Sequence, residues 1–322
     1  MTETTVPTQA STTAPQLPEV PAPQRRERAR FSLWDQIMRA SDAGLAVWSI
    51  LMFIFLFLPI VVLVIFSFND QKLNVYWTHF TFRWYTGTGK AMADGGKSIF
   101  HDPGIQHAFL TSLEIAIVST ILAVIIGTLG SFALERFEFR TKNIWDGLNY
   151  TKIVIAEVVA GVSSLLFFVQ ANTFLTQYVG FNFWGILSPG FYTVLIAHVA
   201  WNIPFVVVVV RARLKGFDRA IEEAGQDLFA RPTTVFFRIT LPVIFPGIMA
   251  AALLSFTLSF DDFVTTFFVA GPQINTLPLQ IWSMVRMGVT PEINAISTLM
   301  MAFSSIIVIV LEIKTHISAD IA

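Results

Sequence analysis

Residues 222–247 read EEAGQDLFARPTTVFFRITLPVIFPG, a polar and charged stretch set between long apolar runs. Its local chemistry predicts two short helices outside a bilayer. Asp218 is placed to cap the first, and Glu222 and Glu223 in its opening turns suit the positive end of a helix dipole. Ala224 and Gly225 offer a small surface for close contact, while Leu228 and Phe229 supply an apolar plug. Pro232 fits the first turn of a second short helix, followed by Phe236, Phe237 and Arg238. Pro242 and Pro246 then mark where the chain enters the next apolar run.

The whole chain sets the scene for that stretch. Its 322 residues are 54% hydrophobic, 14% aromatic and 13% charged, with a mean hydropathy of +0.64. A soluble domain carries about a quarter charged residues, so this is an integral membrane protein. The net charge of −1 argues against nucleic acid as a partner. With no cysteine there is no disulfide, thiolate chemistry or cysteine-ligated metal, and no cofactor is expected. No Gly-x-x-x-x-Gly-Lys-Ser/Thr run occurs, so the chain carries no phosphate-binding loop of its own. Five histidines and no nucleophile–base constellation leave a membrane-bound enzyme without catalytic residues. Residues 1–42 form an expected disordered tail: residues 1–30 are rich in Thr, Pro and Ala and poor in large apolar side chains. This segment is not a signal peptide, because the apolar run starts too far in and is too long.

A membrane-crossing helix needs roughly 20 mostly apolar residues. Six stretches qualify, at 43–66, 107–134, 151–176, 191–211, 241–262 and 293–313. The fold class is therefore an all-α membrane protein with six transmembrane helices and both termini on one side. Placing the N-terminus in the cytoplasm puts 16 Lys and Arg residues inside and five (Lys72, Arg83, Lys90, Lys97, Arg286) outside. The positive-inside rule then favours N-in, C-in, with the 222–247 stretch in the cytoplasm, where ATP is. Gly127, Gly130 and Ser131 give the second span a small-residue face, and Gly161 and Ser164 the third a partly small one, suited to close helix packing. His198 and Asn202, spaced i, i+4 just before Pro204, are placed to satisfy carbonyls that a kink would free, or simply to pack.

With these features in place, the polar stretch resembles the cytoplasmic signature loop by which membrane subunits of bacterial ATP-driven importers engage their ATPase. The family pattern is Glu-Ala-Ala, a Gly, then Ile-x-Leu-Pro ten to thirteen residues beyond that Gly. Glu223, Ala224, Ile239, Leu241 and Pro242 match in register, Gly225 replaces the second Ala, and Phe229 stands where the family has its Gly. The resemblance assigns coupling to the loop 216–240 and to the Leu-Pro that follows it: Glu222, Glu223, Ala224, Gly225, Asp227, Leu228, Phe229, Ile239, Leu241 and Pro242. That family Gly serves a turn of positive φ, which costs most other residues on the order of 1 kcal/mol. Phe229 is therefore expected to push the turn to a neighbour or to make the two short helices meet differently.

From about residue 55 to 310 the chain also resembles permease subunits of spermidine/putrescine importers, notably the second of their two membrane subunits. The carrying segments include PIVVLVIFSFND (59–70), SFALERFEFRTK (131–142), HVAWNIPFVVVVVRARLKGFD (198–218) and LSFTLSFDDFVTTFFVAGP (254–272). The resemblance implies the type I importer-permease (MetI-like) fold over residues 43–322. It also implies an ATPase dimer, a second permease subunit and an extracytoplasmic solute-binding protein as partners, with the lipid bilayer around them.

Multiply charged cations suit a path lined by carboxylates. Asp261 and Asp262 lie about 20 residues beyond Leu241, roughly 30 Å along a helix, at or just inside the outer boundary of span five. Adjacent carboxylates point in different directions, so at most one faces a path. Glu157, flanked by IVIA and VVAGV, is a charge at membrane depth and needs a watery cavity or a partner such as Lys152. The polyamine-type family carries an acid after a Pro there; Ala156 replaces that Pro and leaves the helix break in question. Trp84 and Tyr85 in an outer loop are placed either to stack on a cation or to anchor the interface. Other readings of the chain are an importer of another small cationic or neutral solute, or a self-sufficient secondary transporter, which leaves the loop unexplained.

Overall fold

In the computed structural model the described residues are 33–71, 76–87, 98–180 and 185–320. Most of the tail predicted at 1–42 lies outside them. The chain divides into two units, residues 1–58 and residues 59–322. Within the first unit, α1 (Leu33–Phe66) begins, and its large apolar side chains from Leu45 to Leu58 are exposed. A helix apolar all round is built for lipid or for another chain.

The second unit is a set of helices packed along one long rod. After the one-turn α2 (Arg83–Thr86), α3 runs from Pro103 to Arg136. Its start is fixed by Pro103 in the first turn and by Asp102, whose Oδ1 accepts from the Gly104 amide at 2.7 Å. Next come α4 (Lys142–Val154), α5 (Glu157–Phe174), α6 (Phe191–Lys215), α7 (Ala220–Asp227), α8 (Pro232–Val235) and α9 (Leu241–Phe260). The chain finishes with α10 (Val264–Val269), α11 (Leu277–Arg286) and α12 (Pro291–Asp320). Among the described residues six helices are long and apolar enough to cross a membrane: Gly44–Phe66, Pro103–Arg136, Glu157–Tyr178, Phe191–Lys215, Pro232–Phe260 and Pro291–Val310. Among the described residues no strand forms beyond a single bridge between Asn69 and Phe80.

Three apolar clusters stack along α3. Ile105 joins Trp84, Ile99, Leu277 and Ile296 near its start; Ile115 joins Phe168, Val194 and Val269 at mid-length; Ala123 joins Val206, Val210, Leu214 and Ile244 beyond. The small-residue face of α3 does what its composition predicts. A Cβ on Gly127 would stand 2.6 Å from Val206, and the Ser131 hydroxyl lies 2.6 Å from the Gly127 carbonyl and 3.2 Å from that of Val207. Those contacts let α3 and α6 approach closely, as small residues do between membrane helices. A ring of charges ties the far ends together. Arg211 on α6 pairs with Glu135 (3.3 Å) and with Asp146 on α4, and Arg136 pairs with Glu222 on α7 (3.0 Å).

Two spans differ from the hydropathy reading. Span three starts later than the hydropathy reading has it: residues 151–154 close α4, and the membrane-length helix begins at Glu157. Span five ends at Phe260, where Asp261 leaves the helix.

Candidate functional site: a protruding loop and two broken helices

The polar loop folds as two short helices, as its sequence predicts. Asp218 accepts from the Ala220 amide at 2.9 Å and starts α7, and Pro232 opens α8. The two adjacent glutamates then part. Glu222 turns inward, its Oε1 bound by Arg136 Nη2 at 3.0 Å and by the Thr240 hydroxyl at 2.6 Å. Glu223 and Ala224 face outward. Gly225 is buried, and a Cβ there would stand 2.8 Å from Ile239 Cδ1, which explains why a residue smaller than Ala is tolerated and useful at this contact. One pair of the signature, Gly225 and Ile239, is thus the seam that closes α7 onto the turn before α9.

The expectation for Phe229 is corrected. The turn does not shift to a neighbour: Phe229 itself takes φ of 61°, the one positive-φ non-glycine among the described residues. Its amide donates to Gln226 O at 2.8 Å and the Ala230 amide to Gly225 O at 3.2 Å, which ends α7 in a left-handed cap. The ring is carried straight out, 98% exposed, beside Leu228 at 82%. An exposed Leu-Phe tip on a strained turn marks a contact surface.

The first broken helix holds Glu157. Ile155 (φ −64°, ψ 132°) and Ala156 (φ −60°, ψ 135°) are extended, so the break persists although proline is absent. Glu157 opens α5 at its positive end and is exposed; among the described residues it makes no hydrogen bond or ion pair. Lys152, its candidate partner, lies instead with Nζ 4.3 Å over the Trp201 ring.

The second break, at 261–263, separates Asp261 from Asp262 as their adjacency predicts. Asp262 is drawn inward and caps α10: Oδ2 accepts from the Thr266 amide and hydroxyl, both at 2.8 Å, and lies 3.2 Å from His198 Nε2. His198 Nδ1 meets Ser259 Oγ at 2.7 Å, and Ser259 Oγ meets Ser119 Oγ at 2.8 Å. His198 thus serves this network and not the carbonyls near Pro204, and Asn202 is fully buried with neither amide atom hydrogen-bonded among the described residues. Ser119 is halfway along the 34 residues of α3, so the network sits about 25 Å from the charge ring. Asp261 is the open carboxylate. It faces a groove of about 570 Å³ lined by Thr257, Ser297, Met300, Ser304 and Ser305, with Ser304 Oγ 3.3 Å away.

Trp84 and Tyr85 are fastened into the core. Trp84 is 4% exposed, its Nε1 donates to Asn69 O at 2.9 Å, and the Arg83 guanidinium covers its ring at 4.4 Å. The Tyr85 hydroxyl bonds Ser67 Oγ at 2.8 Å, and burial holds its phenol above the ordinary pKa. Both belong to an apolar core cluster, which is neither the cation-stacking nor the interface-anchoring role expected of them. Sequence reasoning missed Arg136 and Thr240 as partners of Glu222, and Trp201 as partner of Lys152; none carries a local signal.

No family model matches the chain. It is 40% identical over 256 residues to the putrescine transport system permease protein PotI of Escherichia coli (strain K12), covering 79% of this chain and 84% of the relative. It is 35% identical over 255 residues to the spermidine/putrescine transport system permease protein PotC of the same organism (79% and 87% covered), and 34% identical over 262 residues to PotC of Haemophilus influenzae (81% and 92%). Among solved structures it is similar to a bacterial ABC transporter involved in import of the acidic polysaccharide alginate (TM-score 0.64, 16% identity, 90% of this chain and 99% of that one), a likeness that shows the fold. The MetNI methionine ABC transporter is a second such neighbour (TM-score 0.52, 14% identity, 67% and 95%). With its six membrane helices and the importer-permease fold, the chain belongs to the spermidine/putrescine family of transport-system permease proteins and is a multi-pass protein of the inner membrane.

Proposed function

We propose that this chain passes protonated polyamines across the inner membrane as one membrane subunit of an ATP-driven importer, and catalyses no reaction itself. An ATPase dimer seats on the loop, a second permease subunit completes the path, and an extracytoplasmic solute-binding protein delivers the substrate. The excess of Lys and Arg on one side supports N-in, C-in, with the loop in the cytoplasm.

The observation that carries the reading is the division of the loop into an anchored and a free half. Glu222 is bolted to Arg136 and Thr240, while Glu223, Leu228 and Phe229 project. A push on the tip is thereby delivered to α3 and, through the Gly225–Ile239 seam, to α9. Kinship with putrescine and spermidine permeases supports the substrate class, and so do Glu157 and Asp261, open carboxylates at the two helix breaks that suit a cationic solute.

Uptake of labelled putrescine and spermidine in cells lacking this subunit, with and without its re-expression, tests the substrate. Restored ATP-dependent uptake is expected. The Glu223→Arg variant tests the loop: uptake and ATPase stimulation should be lost while the protein still reaches the membrane. Normal uptake by that variant removes the coupling role from the loop.

A further inference from the structure

Lys152 occupies an unusual position for a lysine. It stands in the last turn of α4, two residues before the break, and is only partly exposed. Among the described residues it makes no ion pair or hydrogen bond; its ammonium rests on the face of Trp201 at 4.3 Å. Around it opens a groove of about 320 Å³ between α4, α5 and α6, lined by Ser163, Ser164, Phe167, Phe168 and Ala197 among others. Ala200, next to Trp201 in the chain, lines this groove, and Trp201 itself lies beside His198, Asn202 and Asp262 in a small polar cleft. An ammonium over an indole is attracted by the ring quadrupole, more strongly as water is excluded.

The side chain that fills this place is itself informative. A lysine side chain is four methylenes ending in an ammonium, which is a diaminobutane lacking one of its two ammonium groups. The groove therefore already holds a tethered fragment of the ligand class proposed above. We propose that the Trp201 face is an alkylammonium subsite of the transport path and that Lys152 is its built-in stand-in, displaced when a substrate ammonium enters and returning when it leaves. This rests on the polyamine reading and adds to it a subsite and a competitor.

The consequence is a site made weak on purpose. A side chain tethered by a short linker competes at an effective concentration in the millimolar range. The apparent affinity for free ligand falls by the fraction of time the ring is vacant. A transport site has to be favourable enough to enter and weak enough to leave, and a returning lysine secures the second condition. The bland alternative is a lysine whose stem merely covers the indole. Methionine at 152 separates the two, since it keeps an apolar stem and removes the charge.

Binding of labelled putrescine to the assembled transporter in nanodiscs, without its solute-binding protein, reads the effect. Lys152→Met should bind about three- to tenfold tighter than the wild type, and Lys152→Arg should stay near it. The gain should vanish in Lys152→Met with Trp201→Leu, and shrink with Trp201→Phe, which serves if the leucine variant fails to assemble. Equal or weaker binding by Lys152→Met, or a gain that survives loss of the indole, overturns the subsite. Whole-cell uptake by the wild type separates that result from a failure of the underlying reading. If the wild type imports putrescine and Lys152→Met shows no gain, only the subsite falls; if the wild type imports no polyamine, the reading falls and the stand-in with it.

Discussion

Phe229 and Glu222 show how one side chain sets the behaviour of the loop. A left-handed phenylalanine costs about 1 kcal/mol against glycine, and here that strain holds an aromatic ring fully in the open. Phe229→Gly should therefore raise the thermal unfolding temperature slightly while weakening ATPase stimulation. Phe229→Ala should weaken stimulation with no gain in stability, because the strain remains. A glycine variant that couples as well as wild type contradicts a contact role for the ring. Glu222 behaves in the opposite sense. Its partners Arg136 and Thr240 are mostly buried, so Glu222→Ala leaves a guanidinium without its acceptor, at a cost of about 2 kcal/mol read by thermal unfolding. The neighbouring Glu223, exposed, should cost little stability when replaced by Gln. Nothing in the run EE distinguishes the two residues; the docking of α7 against α3 does.

At the scale of elements, the break between α4 and α5 is the sharpest lesson. Proline is the usual cause of such a break, and its replacement by Ala156 left the sequence reading undecided. Both Ile155 and Ala156 nonetheless hold the φ and ψ that an X-Pro pair prefers. The break is thus imposed by what surrounds it, with α4 held at its charged end by Asp146–Arg211 and α5 packed against α10. Restoring proline should then cost nothing in the folded state and restrict the unfolded chain. Ala156→Pro is expected to stabilise by about 0.4–1 kcal/mol with uptake unchanged, measured by thermal unfolding alongside transport. Destabilisation would mean that the Ala156 amide or its surroundings need freedom the ring removes. The close approach of α3 and α6 is more legible. Gly127→Val should destabilise by about 1–3 kcal/mol through overpacking on Val206, seen as a lower unfolding temperature.

Across the molecule, the second break and the loop are linked by α3. The charge ring at one end of that helix receives the loop, and Ser119 at its midpoint meets Ser259 and, through it, His198 and Asp262. The exposed acids Glu157 and Asp261 each flank a break. Glu157→Gln and Asp261→Asn should each lower polyamine uptake severalfold with ATPase assembly intact, measured by initial rates and co-purification. Unchanged kinetics in both would sink the path assignment and leave the permease standing.

The sequence by itself determined the membrane class, the six spans to within a few residues at most ends, the short-helix loop and the family to which it belongs. These are properties of local composition and fixed spacing: hydropathy is summed over a window, and the Glu-Ala to Leu-Pro register is counted along the chain. Only the tertiary structure decided that Asp261 is open while Asp262 caps α10, that Glu222 rather than Glu223 is the anchor, and that Trp84 and Tyr85 belong to the core. It also decided that Lys152 rests on Trp201, a residue 49 positions away. Those choices depend on which helices pack together, and a side chain's partner across a helix interface leaves no trace in its own neighbourhood of the sequence.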